Sequence, residues 1–203
     1  MVDWTLEAAV HSGCFFDIVL TSDEKAILER GKKYGVSLHV RPNHLATDHA
    51  KTVDVLKNVI DERDPKEAFD ALCLLQPTTP FRSAEDIRNS FAIFERGSCE
   101  SVVSISRFQV PPQLSVAVSD GYLSTLFPDA SFVTWVQRTQ DFPEAFHPNG
   151  GIYLVRREIF IETHSLFCGR VKGYIMPVTP DVDTLEDFEY ANFLLKRRDH
   201  EAA

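Results

Sequence analysis

The sequence has only four cysteines, Cys14, Cys73, Cys99 and Cys168, far apart and without a CxxC pair or a CxxC…HxxxH spacing. That scarcity argues against a disulfide framework and a structural zinc site, and it points to a reducing, cytoplasmic compartment. Long hydrophobic runs are missing as well. No apolar stretch approaches the roughly 20 residues a membrane span needs, and Met1-Val2-Asp3-Trp4 does not begin a signal peptide. Positive charge is in short supply: 21 Lys and Arg against 30 Asp and Glu leave a formal net charge of −9. Nucleic-acid and anionic-membrane binders normally carry a basic face, so neither partner is expected. Internal repeats, low-complexity tracts and linkers are absent too, and 203 residues suit one domain, 1–203.

What is present is an apolar complement of 44%, enough for a real core, arranged in alternating short runs and amphipathic stretches. The chain opens directly in a helix around Trp4–Val10 that stops at Gly13, with no strand before it. Phe16–Leu20 is a compact apolar run that suits a buried strand, and Ser22-Asp23-Glu24 leads into a helix reaching Tyr34-Gly35. The pattern continues with strand Val36–Val40, helix Thr52–Glu62 and strand Ala71–Leu75. A helix to about Glu95 follows, opened by Ser83 and Asp86 at capping-box spacing, and then strand Ser101–Ser106. Strand–helix alternation of this kind builds βαβ units and a largely parallel sheet.

After Arg107 the pattern changes. Pro111-Pro112 and two short apolar runs around Asp120-Gly121 predict a β-hairpin within an irregular excursion over about 108–148. Strand Gly150–Val155, helix Arg156–Thr163, strand Gly173–Val178 and helix Leu185–Arg198 complete the chain. The last helix carries Lys196-Arg197-Arg198 in its final turn, where cations favour the helix dipole.

In α/β sheets of this class, ligands sit outside the carboxyl ends of the strands. The polar residues there are Thr21-Ser22-Asp23, Arg41 with Asp48, Gln76-Pro77-Thr78-Thr79-Pro80, Arg107, and Asp181-Val182-Asp183-Thr184. Arginines, hydroxyls and an amide suit an anionic, hydroxyl-rich ligand such as a nucleotide sugar. Asp181 and Asp183 suit a divalent cation, since magnesium needs only one or two carboxylates when phosphate oxygens and waters supply the rest.

Four segments in this order, RPNHLATDHAKT, LLQPTTPFRSAEDI, RTQDFPEAFHPNGGIYL and PDVDTLEDFEYA, resemble the acylneuraminate cytidylyltransferases, from Trp4 to about Leu195. These are the CMP-sialic acid synthetases and their relatives acting on legionaminic and pseudaminic acids. The resemblance implies a Rossmann-like three-layer α/β sandwich with a mainly parallel sheet and a small β-hairpin excursion that serves a homodimer. It implies transfer of CMP from CTP to a nine-carbon acidic sugar, a nonulosonic acid, with Mg2+ and release of pyrophosphate. Matched residue by residue, Asp181 and Asp183 fall on the metal-holding, catalytic DxD, and Arg41 and Thr52 on nucleotide contacts, the family commonly having serine at the second. Gln76, Arg138, Asn149 and Tyr153 fall on the sugar-acid side, with Arg138 facing the sugar carboxylate and Asn149 beginning the NGGIYL turn.

Two departures stand out. The family begins with a strand and a basic, glycine-rich phosphate loop, and this sequence opens in the helix that follows them. A sheet without that strand would show two unpaired edges, and a non-catalytic remnant keeping only sugar-acid binding or dimerisation is the alternative reading. Around Pro112-Gln113-Leu114 there is also no lysine, which sialic acid enzymes often carry near the sugar carboxylate.

Simpler explanations exist for each residue taken alone. Asp181 and Asp183 precede a helix as a cap and dipole arrangement would, and Thr184 and Asp187 have capping-box spacing. Arg138 would pair with Asp141 or Glu144 on a surface loop, Tyr153 suits a core position as well as a ligand contact, and Cys73 reads as an inert small hydrophobe. A glycosyltransferase-like fold using Asp-x-Asp for a nucleotide-sugar metal is a further reading, against which the QPTTP and RTQDFP segments speak.

Overall fold

The structure, a computed structural model, describes residues 1–64, 66–127, 138–177 and 179–201, with side chains to Arg197. Residues 128–137 of the expected excursion and Val178, the expected end of the last strand, lie outside the described residues.

Helix α1 (Val2–Ser12) leads to strand β1 (Val19–Ser22), helix α2 (Lys25–Lys33), strand β2 (Ser37–Val40) and helix α3 (Thr52–Arg63). Strand β3 (Ala71–Leu74), helix α4 (Ala84–Glu95) and strand β4 (Ser101–Arg107) come next. The hairpin β5 (Val116–Ser119) and β6 (Tyr122–Thr125) is followed by β7 (Phe146–Arg156), α5 (Arg157–Thr163), β8 (Val171–Ile175) and α6 (Leu185–Glu201). Local signals placed most of these. Ser83 and Asp86 form the reciprocal capping box of α4, and Thr184 and Asp187 do the same ahead of α6. Asp120 and Gly121 take φ values of 50° and 83°, the left-handed pair that closes a two-residue hairpin.

The main sheet has the order β3-β7-β4-β8, and β1 pairs parallel with β2 in a separate two-stranded sheet. Among the described residues, β1 and β3 thus each pair on one side only. The mainly parallel expectation holds with one exception. β3, β4 and β8 run in the same direction, as β1 and β2 do, while β7, the longest strand, runs antiparallel to both β3 and β4. The described part of the connection from β4 to β7 holds the β5–β6 hairpin and no crossover helix of the kind that parallel neighbours need.

Three layers result. On one face Ile152, Leu154 and Cys73 pack under α1 and α4, through Ala8, Ile87, Phe91 and Phe94. On the other, Tyr153, Val155, Leu72 and Leu74 pack under α3 and α5, through Val53, Leu56, Ile60 and Phe160. Alternate residues of β7 therefore serve opposite faces, as the two-residue period of a strand requires. Full burial of each such aliphatic side chain contributes about 1.5–3 kcal/mol. Cys73 sits in this core, and burial pushes its thiol up to about 12, so it is a packing residue. All four cysteines are free thiols. Among the described residues, no helix is long and apolar enough to cross a membrane.

Candidate active site

The site grows out of an interruption in the main sheet. Val103 pairs with Tyr153 and Ile105 with Pro148, so β7 places extra residues opposite a two-residue step of β4. This bulge contains Asn149, Gly150 and Gly151, and bulges of this kind re-aim side chains beside functional sites.

Buried hydroxyls and one amide hold the bulge in shape. The Ser104 hydroxyl donates to Asn149 Oδ1 (2.6 Å), Asn149 Nδ2 donates to Ser106 Oγ (2.9 Å), and the Gly151 amide donates to Asn149 Oδ1 (3.1 Å). The Ile152 amide donates to Ser104 Oγ (2.7 Å), and Thr79 Oγ1 donates to the Asn149 carbonyl (3.1 Å). Asn149 is buried, at 7% exposed, and its carbonyl oxygen is fully engaged by these partners. These bonds turn the Asn149 side chain into the protein, where it shapes the turn that it begins.

Gly150 is the hub. Its φ is +74°, a conformation that L side chains rarely adopt, and a Cβ there would meet Thr79 Oγ1 at 3.0 Å, Gln76 Oε1 at 3.2 Å and Asp181 Oδ2 at 3.6 Å. Three polar groups from two distant segments, the QPTTP loop and the stretch of chain at Asp181, therefore converge on one small patch of bare backbone. Tyr153 joins them from β7. Burial raises its phenol above the usual range, and the Asp181 carboxylate pushes it the same way. The ring also packs edge-on against Phe167 at 5.6 Å, so Tyr153 combines a core role with proximity to Asp181.

The segment carrying Asp181 is tied to the QPTTP loop by the Val182 amide, which donates to the Thr78 carbonyl (2.8 Å). Val182 is buried, whereas Asp181 and Asp183 on either side of it are exposed. Among the described residues, neither carboxylate makes a hydrogen bond or ion pair, since the capping role at α6 belongs to Asp187. No group of three or more His, Cys, Asp or Glu there would by itself enclose a metal. Two free carboxylates fit a magnesium ion whose remaining ligands are phosphate oxygens and waters.

The other expected residues lie apart from this cluster. Arg41 follows β2, and its Nη2 donates to the Thr21 carbonyl (3.0 Å), which fixes one end of the guanidinium at the carboxyl end of β1. Thr52 is exposed at the first turn of α3. Arg138 is exposed at the start of a short 3-10 turn, Thr139–Asp141. It does not form the expected loop ion pair with Glu144, which pairs instead with Arg107 (3.0 Å). That pair borders a cavity of about 340 Å³ lined by Phe108, Pro111, Phe142 and Pro143 at the root of the excursion.

The sequence pattern marked Thr79 only as part of the QPTTP run and did not single out Gly150 or the network serines Ser104 and Ser106. The doubled glycine of Asn149-Gly150-Gly151 was the available signal for a backbone that must stay bare.

The three-layer α/β sandwich with polar residues at its strand ends defines a fold class that solved structures share. CMP:2-keto-3-deoxy-manno-octonic acid synthetase complexed with CTP superposes with a TM-score of 0.68 over 97% of this chain and 88% of that one, at 14% identity. The 4-diphosphocytidyl-2C-methyl-D-erythritol synthase of Anaerococcus prevotii gives 0.64 over 96% and 88%, at 13% identity. Within that class, the chain belongs to the cytidylyltransferase family, whose sequence profile, described as Cytidylyltransferase, matches residues 1–195. Similar relatives include the pseudaminic acid cytidylyltransferase of Campylobacter jejuni, 26% identical over 100% of this chain and 88% of the relative. The CMP-N,N'-diacetyllegionaminic acid synthase of Legionella pneumophila is 31% identical over 97% and 85%. The N-acylneuraminate cytidylyltransferase of Streptococcus agalactiae is 30% identical over 93% of this chain and 45% of that longer relative.

Proposed function

We propose that this chain transfers CMP from CTP to a nine-carbon acidic sugar of the sialic, legionaminic or pseudaminic type and releases pyrophosphate. The observation that carries the reading is the convergence of Gln76, Thr79 and Asp181 on the bare backbone of Gly150, next to Tyr153. An amide, a hydroxyl and a carboxylate around a flat, uncrowded patch form a surface for a polyhydroxylated acid. Relatives matched over 88% and 85% of their own length and named for such transfers favour catalysis over a non-catalytic remnant.

In the reaction, the anomeric hydroxyl of the sugar attacks the α-phosphorus in line. An O–P bond forms, the bond to the pyrophosphate oxygen breaks, and the hydroxyl proton passes to water. Such chemistry rests on positioning and charge neutralisation. Asp181 and Asp183 would hold Mg2+, which when bound offsets the charge of the phosphates. Arg41 and Thr52 serve the nucleotide, Gln76 and Tyr153 the sugar acid, and Arg138 its carboxylate, while Asn149 keeps the turn in register. The exposed Val118, Tyr122, Leu123, Leu126 and Phe127 of the excursion support a homodimer formed through the hairpin. Four free thiols support a cytoplasmic location.

The test is pyrophosphate release from CTP with Mg2+ and a panel of nonulosonic acids. Release with at least one acid is expected. No release with any of them would refute the proposal, and elution as a monomer at working concentration would refute the dimer.

A further inference from the structure

Arg82 lies between the QPTTP loop and α4 and is 3% exposed, yet no carboxylate among the described residues pairs with it. The nearby acid, Asp86, has its oxygens taken by Ser83 and by the Tyr174 hydroxyl. A buried guanidinium without a counter-ion is a costly thing to keep. Burial draws it down to about 10, which still leaves it a cation at neutral pH. An apolar side chain would fill the same space without that penalty, so packing alone does not account for it.

Its partners do. Nη1 donates to the Gly151 carbonyl (2.5 Å) and to the Gln76 carbonyl (3.3 Å), and Nη2 donates to the Thr5 hydroxyl (2.9 Å). These acceptors come from the β7 bulge, the loop after β3, and α1. The first two residues lie one step from, or are themselves, the groups that meet at Gly150. The planar fork of arginine addresses several acceptors at fixed angles, which an ammonium group does not.

We infer that Arg82 is a positioning residue: its guanidinium clamps the Gln76 loop to the Gly150–Gly151 turn and so presents the Gln76 amide to the sugar acid. The inference rests on the proposed function for the identity of the ligand. Arg82 itself touches no substrate; it acts through Gln76.

The experiment compares the full chain with Arg82→Lys, Arg82→Gln and, as a control, Arg157→Gln, which breaks the buried Asp64–Arg157 pair elsewhere in the fold. Pyrophosphate release is measured while CTP and sugar acid are varied separately. Both Arg82 variants are expected to raise the KM for the sugar acid at least tenfold and to leave the KM for CTP within twofold. Arg157→Gln is expected to lower the melting temperature without moving either KM. Equal rises in both KM values, or a sugar-acid KM unchanged in Arg82→Lys, would overturn the inference. If Arg82→Gln does not fold, Arg82→Lys retains the cation and decides alone. A second readout needs no turnover: amide hydrogen exchange in Arg82→Lys should quicken in 76–82 and 149–152 and stay unchanged in 19–40. Unchanged or uniformly faster exchange would overturn the clamp. A wild-type chain inactive with every acid would count against the proposed function and leave this exchange result standing.

Discussion

In the four-stranded sheet Val102, Ile152, Leu154 and Val155 are 0% exposed, whereas in β1 only Ser22 is buried and in β2 only His39. The two sheets carry the two sides of the proposed site. Gln76, Gly150 and Tyr153 stand on the first, backed by a closed net of hydroxyls and Asn149. Arg41 stands on the second, held at one guanidinium nitrogen by a main-chain carbonyl. The difference teaches how accuracy is distributed. Groups that, on the proposed function, would discriminate among similar sugar acids sit where displacement breaks several buried hydrogen bonds at once. A cation that neutralises phosphate tolerates a looser seat, because Coulomb attraction varies slowly with distance.

Substitutions can break or sharpen this contrast. The largest effect is expected for Asp183→Ala, which should reduce Mg2+-dependent turnover about a thousandfold, the several kcal/mol that metal charge stabilisation contributes. Its thermal unfolding should change little, because Asp183 is exposed; unchanged turnover would remove Asp183 from the metal site. Next come paired truncations read by denaturant unfolding. Leu154→Ala in β7 should cost about 3 kcal/mol, and Leu20→Ala in the half-buried β1 about 1–2 kcal/mol. Equal losses would erase the contrast between the sheets. Gly150→Ala should then raise the sugar-acid KM about tenfold and leave the CTP KM alone, through about 1–2 kcal/mol of backbone strain and the push on Thr79 and Gln76. The smallest effect concerns acid. Hydrogen bonds from the Thr184 hydroxyl and amide hold the Asp187 carboxyl below the usual carboxylate range. Its contribution is present above the unfolded-state pKa and is lost as pH falls through the folded value. Melting curves of Asp187→Asn should therefore approach those of the native chain at low pH and lie slightly below them near neutrality.

What could be read from the sequence was what neighbours decide. The Ser83/Asp86 and Thr184/Asp187 caps, the Asp120-Gly121 turn and the alternation of strands with helices all depend on contacts a few residues apart. The reversal of β7 was not legible, since an apolar strand reads the same in either direction. Gly150 shows the harder limit. Its meaning comes from Thr79, Gln76 and Asp181, tens of residues away along the chain, and only the fold brings them together. Glu144, one of two acids close to Arg138 in sequence, pairs instead with Arg107, which β4 delivers next to it.

Helix α1 has a consequence beyond filling a layer. No hydrogen-bonded ladder joins the two sheets among the described residues, and α1 touches both sides. Asp3 pairs with Arg30 of α2, Thr5 accepts from Arg82, and the His11 carbonyl accepts from Arg88 of α4 (3.1 Å). Helix α3 adds to the link, since its Arg63 donates to the Leu38 carbonyl of β2 while its Val53, Leu56 and Ile60 pack on the main sheet. The spacing between Arg41 and Gln76 thus depends on a tie-rod of side chains, adjustable by changing helix residues without rewriting a single strand.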